Sequence, residues 1–437
     1  MHIAGVSGPH KASTRFLLPC FQNWSPWLGL ESHLTEAAKR LWPASMPAIH
    51  ACFRAVVGVL LAMPAANSLR LPAGSRREAL EGLGQASVGL AALLQNPANA
   101  LAQARKFPDR DPNIGPQDYL TEVDPNAPPL NIIMTGASSG IGRDAAAKLV
   151  KRGHIVTVPC RTMEKAEEVC RMITAEAEAY VPGAGVGRAV PMACDLASLS
   201  SIRRFVGAWE EEGPHRGRSM KGPLHVLALN AGVAPDTALK VPSRTKDGFE
   251  ETVGVNHLGH FLLANLLMPE LRCEGSKAED AKPVQKRLVV TASQVHDPET
   301  PGGNVGSVAA LGDMAGIKGG PLFDMIDGGQ FDADKVYKDS KLCNILFMEE
   351  AAARCAASKS DTTVVALSPG LITRTGLFRN QKPLFIKAFD FVAYNIARVA
   401  ETVDFGGDCL LAACIGTDER GIGTRSTRVL MPFQLPA

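Results

Sequence analysis

Tyr337 and Lys341 stand four residues apart on a predicted helix and therefore share one face of it. A phenol with a pKa near ~10 carries protons poorly at neutral pH, but a neighbouring ammonium favours the phenolate and brings it into range. Ser293 follows a strand-like run, where its hydroxyl can hydrogen-bond a reacting atom. Asn256 lies in a helical stretch from which it can hold a water against the lysine, completing a proton path. A Y-x-x-x-K pair alone arises by chance. Backed by Ser293, Asn256 and the motifs below, it describes an acid–base site.

A second constellation suits a phosphate. Leu130 to Gly142 reads LNIIMTGASSGIG, a strand running into glycines that open a helix. Thr135, Gly136, Ser138, Ser139, Gly140, Ile141 and Gly142 form the expected cradle. Glycine lets the backbone approach a pyrophosphate, and the helix N-terminus presents unpaired N–H groups and a positive dipole end. The same letters satisfy G-x-S-x-G, a hydrolase nucleophile elbow, but the later sequence fits that badly. Arg161 ends the second strand, where an acidic residue would select NAD. An arginine there pairs with a 2′-phosphate and points to NADPH, with Arg143 as a second cation. Asp195 and Leu196 follow the third strand and are placed to meet the adenine. Asn230, Ala231 and Gly232 follow the fourth, a small-residue turn against which a cofactor can lie.

These motifs need a scaffold that brings strand ends together. Strand-like runs at Leu130–Thr135, Ile155–Val158, Ala189–Ala193, Leu224–Leu229, Arg287–Thr291 and Thr362–Leu367 alternate with helix-length segments. The expected fold is α/β: a single Rossmann-like, doubly wound parallel sheet with helices on both faces. The reductase domain is expected over residues 129–437, preceded by a presequence (1–104) and a Pro- and Asp-rich linker (105–128). Within 1–104 there are eight Lys/Arg against four Asp/Glu, and Ala55–Ala66 is an apolar run of signal-peptide length. The Ala-, Leu- and Ser-rich stretch after it has transit-peptide composition. Met46 stands just upstream as an alternative start, and an amphipathic helix packed on the body is the bland alternative. The chain stops at Ala437, soon after a last strand-like run at Arg428–Met431.

Composition sets outer limits. The 437 residues are 46% apolar and 21% charged with a formal charge of +2, which disfavours nucleic acid as a partner. Ten cysteines without a C-x-x-C pair fit reduced thiols. His257 and His260 are three apart on a helix, but no third ligand accompanies them and no protein-bound metal is expected. Aromatic residues are only 5% of the chain, yet Pro383–Tyr394 holds Phe385, Phe389, Phe391 and Tyr394. That segment suits a lid over a large flat apolar ligand or a peripheral membrane contact, and a core helix is the plain alternative.

Taken together, the residues from about Leu130 to Leu430 resemble the short-chain dehydrogenase/reductase family. Ordinary members place the serine about a dozen residues before the tyrosine, whereas Ser293 and Tyr337 are 44 apart, so a Gly-rich insertion (301–335) hangs over the site. Its text, GGNVGSVAALGDM…MIDGGQFDADKVYKDSKLCN, is similar to that of the light-dependent protochlorophyllide reductases. So are PCRTMEKAE, CDLASLSSIR, VGVNHLGHFLL and TGLFR. The resemblance implies NADPH as cofactor and protochlorophyllide as substrate, with reduction of the C17–C18 double bond when light excites the pigment. It makes Tyr337 the proton donor and Lys341 its partner, also on the cofactor. It puts Cys343, Phe385 and Phe389 near the pigment (380–398 as the lid), and the protein in a plastid reached through a bipartite signal and transit peptide. A homo-oligomer is compatible with it. After Pro369 and Gly370 the family places a threonine on the carboxamide; by count that position is Arg374, flanked by Thr373 and Thr375, one of which is the expected substitute, with Thr373 taken as the cofactor contact. Ala234 stands where the family tends to have tyrosine. Two other readings use the same residues: a dark NADPH-dependent reductase of an apolar carbonyl, resembling retinol dehydrogenases, and a non-catalytic pigment-binding paralogue.

Overall fold

The computed structural model describes residues 128–180, 187–212, 224–272, 286–300, 302–381, 386, 390, 400–416 and 428–430. The expected presequence, nearly all of the linker, and Phe385, Phe389 and most of the expected lid lie outside the described residues. Seven strands form one sheet: β1 (Asn131–Met134), β2 (Ile155–Cys160), β3 (Arg188–Ala193), β4 (Val226–Leu229), β5 (Lys286–Thr291), β6 (Thr362–Leu367) and β7 (Arg428–Leu430). Their order is β3-β2-β1-β4-β5-β6-β7, and every pairing is parallel. The chain reverses direction across the sheet between β1 and β4, the switch point at which such sheets bind ligands.

Strand composition follows burial. β1, β4, β5 and β6 are buried at every residue, as expected of parallel strands covered on both faces. Alternate residues feed two cores. Ile132, Met134, Val226, Ala228, Val289, Val365 and Leu367 face one side, whereas Ile133, Leu227, Leu229, Leu288, Val290, Val364 and Ala366 face the other. β3 is the edge strand, partly exposed, and tolerates Pro191 for that reason.

The helices are α1 (Gly140–Lys151), α2 (Met163–Tyr180), α3 (Leu199–Glu212), α4 (Gly259–Arg272), α5 (Ala333–Ala357) and α6 (Val403–Ile415). Residues of α1, α2 and α6 fill the first core, and those of α3, α4 and α5 fill the second. The helical stretch expected around Asn256 is interrupted: a short helix (Glu251–Val253) passes into a π-helical turn (Gly254–Leu258) before α4 begins. π-turns of this kind concentrate at functional sites.

The insertion folds onto the start of α5. Phe323, Met325 and Ile326 make a small core with Val253 and Val336, and Cys343 packs against it. Polar staples surround it. Asp332 caps α5, accepting from the N–H groups of Asp334 (2.9 Å) and Lys335 (3.0 Å). Asp339, fully buried, accepts from Ala310 N–H (2.8 Å) and from Lys335 Nζ (2.6 Å). Lys335 also reaches Asp327 (3.0 Å), and Lys338 donates to Ser307 O (2.7 Å). Burial works against the charge on Lys335, but its two carboxylates outweigh that and hold its pKa above the ordinary lysine value. Removing Asp339 leaves Lys335 with one carboxylate, Asp327, and the Ala310 N–H without its acceptor. Asp339→Ala is therefore expected to cost about 3 kcal/mol in chemical denaturation and to speed protease cutting within residues 302–330; unchanged cutting counts against the staple.

Candidate active site

The C-terminal ends of β1, β4 and β5 meet the first two turns of α5. Lys341, 3% exposed, donates from Nζ to the Thr291 carbonyl at the end of β5 (3.0 Å). Its ammonium lies 5.7 Å from the centre of the Tyr337 ring. Ser293, just past β5, is hydrogen-bonded to the Tyr337 hydroxyl. Thr291 also donates to Asn230 Oδ1 (3.2 Å), joining β5 to the turn after β4. The structure thus brings Tyr337, Lys341 and Ser293 together beside the Asn230–Gly232 turn.

The electrostatics differ from the sequence expectation. Tyr337 keeps some exposed surface, yet burial pushes its phenol up to about 12 and the Ser293 hydrogen bond offsets this only in part. Lys341 does not bring the tyrosine into the neutral range; burial pulls the lysine itself down to about 8. Tyr337 is thus held as a phenol, fit to donate a proton, because desolvation penalises the phenolate more than its neighbours stabilise it.

Asn256 is held by the chain around it. Its Oδ1 accepts from Val233 N–H (2.8 Å), and its Nδ2 donates to Val233 O (2.9 Å) and Ser340 Oγ (3.1 Å). The amide is engaged with backbone and with Ser340, so it positions the chain after Gly232. A side-chain carbon added to Gly232 would stand 3.6 Å from Asn256 Oδ1 and 3.8 Å from Lys341 Nζ, so the turn runs directly past both.

The glycine turn after β1 is tight. Gly136 takes φ +71°, and a Cβ on Gly142 would lie 2.4 Å from Gly136 O and 2.6 Å from Asn230 Nδ2, so only glycine fits. Ser139 occupies the N-cap of α1 without a capping side-chain bond. The Ile141 side chain points the other way, onto Gly406 in α6, and contributes backbone alone. Thr135 Oγ1 accepts from the N–H groups of Asn230 (2.9 Å) and Ala231 (3.0 Å). Asp195 holds its own loop through Ala197 N–H (3.1 Å) and pairs with Lys246 (2.8 Å). Leu196 packs partly into the core.

Two expectations around the cofactor change. Arg143 pairs with Glu176 (3.3 Å) and is not an uncommitted cation for a phosphate. The Thr373 hydroxyl donates to Asp390, which Arg374 also engages (3.0 Å), whereas Thr375 abuts Gly140, its Cβ 3.1 Å from a Cβ placed there. Pro369 and Gly370, with φ +84° at Gly370, turn the chain after β6 towards this segment. Arg379 was not singled out from the sequence. It donates to Gly376 O (3.1 Å), and Gly376 in turn lies against Ser139. Partial burial and then the charge of Arg161 hold the Arg379 guanidinium below its ordinary pKa. The signal was present in TGLFR, but contact with the phosphate turn spans more than 230 residues. Cys343 has a thiol that burial pushes up to about 12, which suits packing against the insertion.

A family profile described as short chain dehydrogenase matches residues 130–282. The chain is 40% identical over 260 residues to a chloroplastic protochlorophyllide reductase of Cucumis sativus, covering 58% of each protein. It is 41% identical over 261 residues to protochlorophyllide reductase B of Hordeum vulgare, covering 58% of this chain and 59% of that one. The chain thus spans under three fifths of the length of these relatives. A solved alcohol dehydrogenase from Thermococcus sibiricus, complexed with 5-hydroxy-NADP, covers 71% of this chain at 17% identity and a TM-score of 0.44.

Lys341 supplies a pH test. Its pKa is lowered in the fold, so between about 8 and the unfolded value the unfolded chain binds a proton that the native one does not. Stability of the unliganded protein should rise with pH across that window, by on the order of 3 kcal/mol. The rise should vanish in Lys341→Met, as read from denaturant titrations at pH 7.5 and 10. Over residues 130–282 the chain is similar to short chain dehydrogenases, and the parallel sheet and the Tyr–Lys–Ser cluster at its C-terminal edge accord with that likeness.

Proposed function

We propose that the chain is an NADPH-dependent reductase of protochlorophyllide that works in a plastid and requires light. The observation that carries the reaction type is the Tyr337 hydroxyl, kept protonated by burial, bonded to Ser293 and flanked by Lys341. The substrate class rests on the relatives, which are named chloroplastic protochlorophyllide reductases, and on the insertion text packed against α5.

The residues present fit a dinucleotide. The cradle between Gly136 and Gly142 has no room for a Cβ, and the N-terminus of α1 is left without a side-chain cap. Gly136, Ser138, Ser139 and Gly140 would hold the pyrophosphate, with Thr375 closing over it. Arg161, exposed at the end of β2, and Arg379 would bracket the 2′-phosphate, replacing the Arg161–Arg143 pair expected from sequence. Asn230, Ala231 and Gly232 would pass beneath the nicotinamide ribose, within reach of Lys341. When bound, the cofactor supplies a hydride, which the resemblance assigns to C17 of the excited pigment. Tyr337 then gives its proton to C18. Ser293 and the Lys341 ammonium stabilise the phenolate left behind, and the insertion excludes water from that face.

The test mixes the purified chain with NADPH and protochlorophyllide and records absorbance before and after a flash. Loss of the substrate band and growth of chlorophyllide only after light supports the reading. Reduction of retinal-like carbonyls in darkness with no photochange favours the carbonyl reductase, and binding with neither reaction favours a pigment-binding paralogue. Tyr337→Phe is expected to retain NADPH binding while slowing the proton step at least about 100-fold, the usual scale of a general acid. Arg161→Ser should weaken NADPH about tenfold or more and leave NADH unchanged, consistent with loss of one charge-assisted hydrogen bond; equal losses for both nucleotides would remove the 2′-phosphate assignment.

A further inference from the structure

His260 is 3% exposed in the first turn of α4, and the proton chemistry above makes no use of it. Its Nδ1 lies 3.0 Å from the backbone carbonyl of Asn256, and its Nε2 lies 2.9 Å from Thr135 Oγ1. A carbonyl oxygen only accepts, so Nδ1 carries the ring hydrogen. Burial keeps the ring neutral, with its pKa pulled down to about 4, which leaves Nε2 as an acceptor. The Thr135 hydroxyl therefore donates to Nε2 while its oxygen receives the Asn230 and Ala231 N–H groups. The Ala228 carbonyl, at 3.3 Å, is the weaker alternative for the same hydrogen. A continuous chain of hydrogen bonds then runs from the Asn230–Ala231 turn through Thr135 and His260 to the π-helical turn. It closes on itself, because the Asn256 side chain grips Val233 from both sides.

We propose that His260 is a positioning residue for the reduction: its ring locks the π-helical turn to the end of β1, so that Asn256 holds Val233, and with it the Asn230–Gly232 turn, at a set distance from Lys341. The ring touches neither Tyr337 nor Lys341 in any hydrogen bond among the described residues, and acts through Asn256. The inference rests on the reductase reading for its kinetic consequence only.

The two ring contacts can be separated by substitution. Asparagine places an amide N–H where Nδ1 stands and keeps the Asn256 bond, whereas glutamine reaches the Nε2 position and keeps only Thr135. In the full chain with NADPH, hydrogen exchange at the Val233 amide should accelerate about tenfold in His260→Leu and His260→Gln and stay within about threefold of wild type in His260→Asn. Nitrogen-15 shifts of the histidine ring should show the proton on Nδ1. The proton step after a flash should slow about tenfold in the Leu and Gln variants and recover in the Asn variant, with NADPH affinity within about threefold throughout. A ring protonated on Nε2, or Val233 protected better in Gln than in Asn, overturns the proposal. A wild-type protein that shows no photochange removes the substrate reading alone, because exchange and ring shifts still decide the role of His260.

Discussion

The contact between Lys341 and the Thr291 carbonyl organises the rest of the site. A lysine buried to this degree loses hydration, and a single backbone acceptor at the strand end is the partner the structure gives it. Satisfying that bond fixes the rotation of α5 about its axis and its height against β5. Once those are set, Tyr337 one turn earlier must meet Ser293, and Ser340 must meet Asn256. The same burial that requires the contact lowers the lysine pKa and raises that of the tyrosine, so geometry and protonation state have one cause.

The insertion is held by the same helix. Its charged staples use Asp332, the N-cap of α5, and Asp334, Lys335, Lys338 and Asp339 in its first two turns. The same start of the helix presents Tyr337, and Lys341 one turn on, to the sheet. One face of the helix carries the chemistry while the others anchor a cover, and a shift of either would move both. Lys335–Asp339 and Lys338–Asp334 pair within the helix, and the docked insertion adds the Ala310 N–H, the Ser307 N–H and carbonyl, and the Asp327 carboxylate to them.

The parallel sheet, its strand boundaries to within one or two residues, the glycine turn and the Tyr–Lys–Ser cluster were all legible in the sequence. Each is local or periodic: apolar runs, glycine spacing and a four-residue helical repeat leave marks over short distances. What escaped were relations between distant segments. Arg143 faces Glu176 because the outer side of α1 packs beside α2. Of the two threonines flanking Arg374, Thr373 turns to Asp390 and Thr375 abuts Gly140, a choice no local pattern makes. His260 had no role assigned from the sequence, and its ring nitrogens are engaged by a threonine 125 residues earlier and by the Asn256 carbonyl.

The sequence by itself determined the architecture and which residue types stand at the strand ends, because hydrophobic periodicity and glycine placement are properties of short stretches of chain. Only the tertiary structure decided the protonation of Tyr337 and Lys341 and the use of Asn256. Those depend on desolvation and on partners brought together from β1, β4, β5 and α5, and no window of sequence contains more than one of these elements.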